Sequence, residues 1–152
     1  MSAGAEGRLN LRPVTAADAR IVHAWRNDPD TRVASRNGER VEWADHQNWL
    51  DAALKSPDRM LWIAEIGGSP VGVLRADRTS KGWELSWTVA PEARGRGIGR
   101  EMTCALAAEL GGCVSAVIRR GHLASEKIAY AAGLRRVGMD ANENFDRWER
   151  QC

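Results

Sequence analysis

Long apolar runs are missing from this sequence. No stretch approaches the roughly 18 apolar residues of a membrane span, and the first residues lack the basic start and apolar segment of a signal peptide. An excess of charge of one sign is missing too, since 22 Lys and Arg residues against 20 Asp and Glu residues leave a formal net charge of +2. We therefore expect neither a membrane nor a nucleic acid as a partner.

Cysteine is scarce and is not spaced for a metal site. Cys104, Cys113 and Cys152 are odd in number and contain no C-x-x-C pair, so we expect no disulfide framework and no bound metal. A reducing, cytoplasmic setting is the natural expectation. Cys104 lies within an apolar helical segment and is expected to be a packed, inert thiol.

A length of 152 residues suits one domain with a real core. No repeat, linker or low-complexity tract divides the chain. Residues 1–7 (MSAGAEG) are small and polar, so we expect a flexible N-terminus followed by a single domain over residues 8–152. Seven tryptophans against one tyrosine and one phenylalanine are unusual, and Trp62, Trp83 and Trp87 are expected in core or half-buried strand positions.

The hydrophobic periodicity changes repeatedly between the helical and the strand period. It predicts the order β-α-α-β-β-β-α-β-α-β-β, a mixed α/β domain. Thr15 is the expected N-cap of the first helix, Pro29 ends that helix, and residues 29–40 form a loop that could contain a helical turn. The later helices are predicted over residues 42–54, 98–110 and 123–132, and the main hairpin turns at residues 67–70.

One glycine-rich segment, VAPEARGRGIGREM (residues 89–102), lies between a predicted strand and a predicted helix. Such a turn exposes backbone N–H groups at a helix N-terminus, which suits a phosphate. The dinucleotide pattern G-x-G-x-x-G fails because Arg100 stands where its third glycine belongs, and no Gly-Lys-Ser/Thr follows. An arginine-glycine RNA-binding tract or a plain tight turn is the alternative.

Arg94, Gly97 and Gly99 fit the pattern R/Q-x-x-G-x-G/A, so the segment resembles the pyrophosphate loop of the GNAT superfamily of acetyl-CoA-dependent acetyltransferases. The later segment HLASEKIAYAAGL is similar to the family pattern N-x-x-S-(x)7-G-F, with His122 in place of asparagine. The resemblance implies a single-domain GNAT fold with a central sheet of about seven strands, and acetyl-CoA as acyl donor. The cofactor-binding residues that it implies are Trp87, Thr88, Val89, Arg94, Gly95, Arg96, Gly97, Ile98, Gly99, His122 and Ser125.

The N-terminal segments WRNDPDTRVAS, HQNWL and PVGVLRADR look like those of amino-sugar N-acetyltransferases of the pseudaminic-acid type. That resemblance implies a nucleotide-linked 4-amino-4,6-dideoxy sugar as acceptor. Arg26 and His46 would contact its phosphates and Trp49 would face the uracil ring, as a guanidinium pairs with phosphate and an indole stacks on a base. The alternative is that His46 and Trp49 only pack the first two long helices on the sheet.

Acetyl transfer to an amine needs a base for the ammonium proton, a donor to the thioester oxygen and an acid for the departing thiolate. Glu84 is the candidate base, because it lies on the strand that leads into the glycine-rich segment. The backbone N–H of Val89 could polarise the thioester oxygen. Many GNAT enzymes carry a tyrosine four residues after the serine; Ala129 stands there, so Tyr130, one position later, is the candidate acid and water the alternative.

Two other functions remain open from the sequence. An N-terminal acetyltransferase acting on ribosomal or other proteins would share the fold and the donor. A non-catalytic GNAT-like module would bind acyl-CoA without turnover. The sequence predicts a small-molecule amine acceptor, leaves its identity open and carries no signal for the oligomeric state.

Overall fold

The computed structural model describes residues 8–152, so the flexible segment expected at residues 1–7 lies outside the described part. Within the described residues there are seven strands and five α-helices, one helix more than predicted. Apart from this additional helix, the elements follow the predicted order. The strands are β1 (Leu9–Pro13), β2 (Arg59–Ile66), β3 (Ser69–Arg78), β4 (Gly82–Val89), β5 (Cys113–Arg119), β6 (Arg135–Met139) and β7 (Phe145–Arg150), and the helices are α1 (Ala19–Arg26), α2 (Pro29–Ala34), α3 (Trp43–Lys55), α4 (Ile98–Leu110) and α5 (Leu123–Ala131).

The strands form one mixed sheet in the order β1-β2-β3-β4-β5-β7-β6. Neighbouring strands are antiparallel except β4 and β5, which are parallel and are joined by the crossover helix α4. These two strands pair only at their beginnings, where Gly82–Leu85 lie opposite Cys113–Ala116. Beyond Leu85 the pairing stops, so the sheet divides at its centre.

The core lies between the sheet and its helices. Ile63, Leu74, Met102 and Leu106 are among the largest side chains that are fully buried. Helix α4 lies directly on β3, because a Cβ at Gly72 would be 2.7 Å from the sulfur of Met102. None of the helices within residues 8–152 combines the length and the apolarity that a membrane span needs.

The segment after α1, predicted as a loop that could contain a helical turn, begins with a short helix. Pro29 does not only follow the end of α1 but starts α2, a position that suits proline because its missing N–H would have no helical partner. Asp28 caps α2, since its carboxylate accepts the backbone N–H of Thr31 at 3.2 Å. The predicted loop therefore begins after Ala34.

A disulfide joins Cys113 to Cys152, with 4.3 Å between their Cα atoms, whereas the cysteine spacing predicted none. The antiparallel register of β5 and β7 places Val114 opposite Arg150, which brings the chain end beside the start of β5. Spacing along the chain cannot reveal this long-range proximity. Cys104 is a free, half-buried thiol on α4, in agreement with the expected packing role.

Candidate active site

The division between β4 and β5 opens into a cleft of about 850 Å³. One wall, the donor wall, consists of the end of β4, the glycine loop (residues 94–99) and the start of α5. The other, the acceptor wall, is built by α1, α2 and the residues that follow α2. The cleft brings together twelve of the residues predicted from sequence, namely Arg26, Glu84, Trp87, Thr88, Val89, Arg94, Gly95, Gly97, Ile98, Gly99, His122 and Ser125.

The glycine loop has the backbone conformation that its composition predicts. Gly95 and Gly97 adopt φ values of +82° and +76°, in the left-handed region that favours glycine. Gly97 is also the N-cap of α4. The first helical hydrogen bond is donated by the N–H of Glu101 to the carbonyl of Gly97 at 3.1 Å. The preceding N–H groups of α4 have no intrahelical acceptor, so they form a site for an anion.

Gly99 has a different role, because it allows three elements to meet. A Cβ at this position would lie 2.7 Å from Cδ1 of Ile128 and 3.1 Å from Cγ2 of Val89. Any larger side chain would therefore separate α4 from α5 and from the end of β4. This close packing aligns the N-terminus of α4 with the end of β4.

The arginines of the glycine loop do not point their charges at the anion site. The guanidinium of Arg94 lies 2.9 Å from Oδ2 of Asp28 and 3.1 Å from Oγ1 of Thr31, which ties the loop to α2. Burial opposes ionisation of Asp28, but the hydrogen bond from the Thr31 N–H and the Arg94 charge keep the pKa of Asp28 below its ordinary value. Arg96 donates to the Glu92 carbonyl at 3.1 Å and does not line the cleft.

The end of β4 presents an unpaired edge to the cleft. The N–H of Ala90 donates to Val71 O on β3 at 2.8 Å. Because successive N–H groups of a strand point to opposite edges, the N–H of Val89 points away from β3 and toward the gap. Trp87, Thr88 and Val89 all line the cleft, so a linear amide-containing ligand could pair with this edge as an added strand would.

His122 replaces the usual asparagine of the second motif as a helix cap. It is the N-cap of α5, and its Nδ1 accepts the backbone N–H of Ser125 at 3.3 Å. An imidazole nitrogen thus performs the capping that an asparagine oxygen would perform. Both residues line the cleft on the donor wall.

Glu84 lies where the two strands begin to part, opposite Ser115 of β5. Its side chain is about one quarter exposed and lines the cleft. Oε1 of Glu84 is 3.6 Å from Nη2 of Arg36, and Nε of the same arginine is 3.7 Å from Oδ2 of Asp140. Arg36 therefore bridges the base candidate to the β6–β7 connection.

Arg26 is a partly desolvated cation on the acceptor wall. Its Nη2 donates to Asn37 O at 2.6 Å, whereas its buried Nη1 has no hydrogen-bond partner among the described residues. Burial, together with the charges of Arg75 and Arg32, lowers the pKa of Arg26 below its ordinary value. A group in this position gains most from an anionic ligand.

Tyr130 does not line the cleft, contrary to the role expected for it as an acid. Its side chain is 59 % exposed, and the guanidinium carbon of Arg135 lies 3.7 Å from the centre of its ring. One residue of displacement turns a side chain by about 100° around a helix. Ala129, at the position that the family pattern assigns to tyrosine, is fully buried instead.

His46 and Trp49 also lie away from the cleft, so the geometry does not support their expected contact with an acceptor. His46 is 2 % exposed, and its ring centre lies 5.1 Å from that of His23 and 5.8 Å from that of Trp49. Burial and the neighbouring His23 lower the pKa of His46 below its ordinary value. His46 packs α3 against α1, and the ring centre of Trp49 lies 5.8 Å from the guanidinium carbons of Arg59 on β2 and Arg75 on β3. Both side chains thus have packing contacts, as the packing alternative predicted.

Four arginines line the cleft although the sequence did not predict them as site residues: Arg36, Arg75, Arg100 and Arg119. Arg36 lies in an irregular segment, and Arg119 ends a strand whose alternation indicates only burial. Arg75 lies on β3 and contacts Asp77 at 3.1 Å. Their convergence depends on the order of the strands, which no short-range pattern contains.

Comparison with known proteins connects this geometry with a family. The family model described as "Acetyltransferase (GNAT) domain" matches residues 8–135, most of the chain. No curated protein matches the sequence significantly.

Several solved structures share the fold. The aminoglycoside acetyltransferase AAC(6')-Ib in complex with coenzyme A is 19 % identical, with 95 % of each chain covered and a TM-score of 0.80. The spermidine N-acetyltransferase from Vibrio cholerae in complex with CoA and spermine is 14 % identical over 93 % of this chain and 94 % of that one, with a TM-score of 0.80. An acetyltransferase from Thermus thermophilus is 24 % identical over 97 % of this chain and 99 % of that one, with a TM-score of 0.81.

Proposed function

The chain belongs to the family of acetyltransferase (GNAT) domains and is an acyltransferase, and from this premise we propose that it transfers an acetyl group from acetyl-CoA to a primary amine by direct attack. The observation that carries the proposal is the cleft at the divided centre of the sheet. In it, an anion site at the N-terminus of α4, an unpaired strand edge and a carboxylate line one continuous space.

The donor wall fits acetyl-CoA. Its pyrophosphate matches the N–H groups at the start of α4, where the open space beside Gly95 and Gly97 leaves the backbone accessible. Its pantetheine arm carries amides, which match the free edge of β4 at residues 87–89. Structural neighbours solved with coenzyme A or acetyl-CoA support this donor. Acetyl-CoA supplies an activated thioester. The protein supplies the base for the amine and the donor to the thioester oxygen.

Glu84 serves as the general base in this proposal. An amine is mostly protonated at neutral pH, so its proton must be removed before the nitrogen can attack. Glu84 faces the cleft where the paired part of β4 ends, between the donor wall and the acceptor wall. It takes the proton directly or through one water. Displacement of Arg36, 3.6 Å away, frees the carboxylate for this step.

The N–H of Val89 serves as the donor to the thioester oxygen. It points to the open edge of β4, and it is held there by the hydrogen bond of the next residue, Ala90, to β3. A fixed backbone dipole needs no reorganisation when negative charge develops on the oxygen. With Tyr130 outside the cleft, water is the acid for the thiolate, or the thiolate leaves unprotonated.

For the acceptor we propose an amine on a negatively charged small molecule, with a nucleotide-linked amino sugar as the specific candidate. Arg26, Arg36, Arg75 and Arg119 line the cleft, and Arg26 has a buried nitrogen without a partner among the described residues. This charge favours phosphate and disfavours polycations such as the spermine bound by the Vibrio cholerae neighbour. Arg26 would contact the phosphate, but His46 and Trp49 have no part in binding.

An acceptor panel tests the proposal. The specificity constant is measured with acetyl-CoA for an amino sugar, its nucleotide-linked form, a peptide with a free N-terminus, and spermidine. We expect the nucleotide-linked amine to be the best acceptor. A higher specificity constant for the peptide would favour the protein N-terminal acetyltransferase, and binding of acetyl-CoA without turnover of any amine would favour the non-catalytic module.

A further inference from the structure

An open recess adjoins the cleft at the acceptor wall. It has a volume of about 490 Å³ and is lined by α2, the segment that follows α2 and the end of β5. It shares Val33, Ser35, Arg36 and Arg119 with the cleft, so the two spaces are adjacent. A ligand whose amine lies in the cleft could extend into this recess.

Three guanidinium groups surround the recess: those of Arg32, Arg36 and Arg119. Within residues 8–152, no aspartate or glutamate belongs to its lining. Arg32 uses its Nε on the carbonyl of Gly38 at 3.0 Å, which holds the side chain without neutralising its charge. Among the described residues, neither Arg32 nor Arg119 has a carboxylate within 4.0 Å, the distance of an ion pair.

Arg36 has carboxylates nearby, but they hold it loosely. The distances to Glu84 and Asp140 are 3.6 Å and 3.7 Å, longer than the 2.9 Å of the Arg94–Asp28 pair. About half of the Arg36 side chain is exposed. A more highly charged ligand in the recess can therefore compete for this guanidinium.

From this arrangement we infer that the recess is a binding site for a phosphoryl group carried by the acceptor. A phosphoryl group has up to two negative charges and three acceptor oxygens, and guanidinium groups match it with paired hydrogen bonds. The inference rests on the proposed function for the source of the phosphoryl group, but the site itself requires only the arginines. Exposed Val33, beside them, can cover the apolar part of the same ligand.

Binding of inorganic pyrophosphate tests the site without any acetyl transfer. The protein is first saturated with coenzyme A, which occupies the anion site of the glycine loop, and is then titrated calorimetrically at physiological ionic strength. We expect saturable binding that weakens about tenfold in Arg119→Gln and in Arg32→Gln. The control Arg78→Gln removes a cation that pairs with Asp58 and lines neither the recess nor the cleft, so this variant should bind pyrophosphate as the parent does.

A matched pair of acceptors gives a second readout. The ratio of the specificity constants for glucosamine 6-phosphate and glucosamine should fall about tenfold in Arg119→Gln, with an unchanged KM for acetyl-CoA. If the parent acetylates neither amine, the proposed function fails while the titration still decides the recess. The inference is wrong if pyrophosphate does not bind saturably, or if Arg119→Gln and Arg32→Gln bind it as tightly as Arg78→Gln does. It is also wrong if the kinetic effect of Arg119→Gln is confined to the KM for acetyl-CoA.

Discussion

At the residue scale, charge placement determines what this cleft can do. Glu84 is a single carboxylate where the strands separate, and the acceptor wall around it is cationic. The sequence located Glu84 through strand alternation. It could not separate Arg26, which lines the cleft, from His46 and Trp49, which pack the helices, because helical spacing identifies a shared face but not what that face meets.

Glu84→Gln retains the shape of the side chain and removes its basicity. We expect turnover at neutral pH to fall on the order of a hundredfold, with partial recovery at high pH, where more of the amine is already neutral in solution. A pH–rate profile of both proteins measures this. Glu101→Gln, an exposed position on α4 outside the cleft, is the control, and a parent-like profile for Glu84→Gln would remove this residue from the mechanism.

Arg26→Ala and Trp49→Ala separate binding from packing. Loss of the desolvated guanidinium should raise the KM for an anionic acceptor by about tenfold and leave the KM for acetyl-CoA unchanged. Trp49→Ala should lower the melting temperature and change the acceptor KM by less than about twofold. Steady-state kinetics and thermal denaturation check both. An acceptor KM that rises only in Trp49→Ala would restore the stacking role expected from the sequence.

Asp146 is one of the aspartates whose lowered pKa makes stability depend on acid. Its side chain is buried, and hydrogen bonds from Arg136 and Arg120 lower its pKa to about 2. An aspartate in the unfolded chain has a pKa near 3.9, so the unfolded state binds the proton more readily between about pH 4 and pH 2. The stability that this carboxylate contributes is therefore complete above about pH 4 and is lost as the pH falls toward 2.

Asp146→Asn should reduce the free energy of unfolding at pH 7 by about 2 kcal/mol and flatten its dependence on pH below 4. Urea denaturation at several pH values measures both effects. Asp51→Asn, which removes an exposed carboxylate paired with Lys55, is the control and should have little effect. An acid dependence that persists unchanged in Asp146→Asn would assign it to other carboxylates.

At the element scale, the meeting of β4, α4 and α5 creates the donor wall. The periodicity predicted these elements closely, with α4 at residues 98–110 as observed, because long amphipathic segments carry a strong local signal. The six-residue helix α2 was predicted only as a helical turn that a loop could contain, since a capped turn that starts with proline resembles a loop in sequence. The ion pair between Arg94 of the glycine loop and Asp28, the N-cap of α2, joins residues that are far apart in the chain.

Gly97→Glu tests the anion site at the start of α4. The substitution places a carboxylate against the pyrophosphate, so we expect acetyl-CoA binding to weaken more than about tenfold in calorimetry. Gly68→Glu is a matched control. Gly68 has a similar φ of +81° and open surroundings but lies in the β2–β3 turn. A glutamate there therefore causes comparable backbone strain without reaching the cleft. Equal acetyl-CoA affinity in both variants would show that the glycine loop does not bind the donor.

At the scale of the whole molecule, the order of the strands brings together residues that are far apart in the sequence. The division between β4 and β5 joins the donor loop to the acceptor wall, and the pairing of β5 with β7 joins Cys113 to Cys152. Neither follows from local patterns. The cytoplasmic location was predicted from the cysteine spacing, and the disulfide removes that support, so the location stays a prediction.

The disulfide should stabilise the domain by constraining the unfolded chain. Cysteines 39 residues apart close a loop whose cross-link is worth about 2–4 kcal/mol. We expect a reductant to lower the melting temperature of the parent by several degrees and to leave Cys152→Ser unaffected. Cys104→Ser, which removes the free thiol, should remain sensitive to the reductant. If the reductant does not change the melting temperature of the parent, the two thiols do not pair in solution.

Direct transfer to an amine is the central claim, and a single rapid-quench measurement tests it. The protein is mixed with acetyl-CoA labelled in the acetyl group, with and without an amine acceptor that carries a phosphoryl group, and the label is located by mass spectrometry. We predict that labelled N-acetyl product forms in step with free coenzyme A and that the protein stays unlabelled at all times. Label on the protein before product appears, or release of coenzyme A without any acetylated amine, would contradict direct transfer in this cleft.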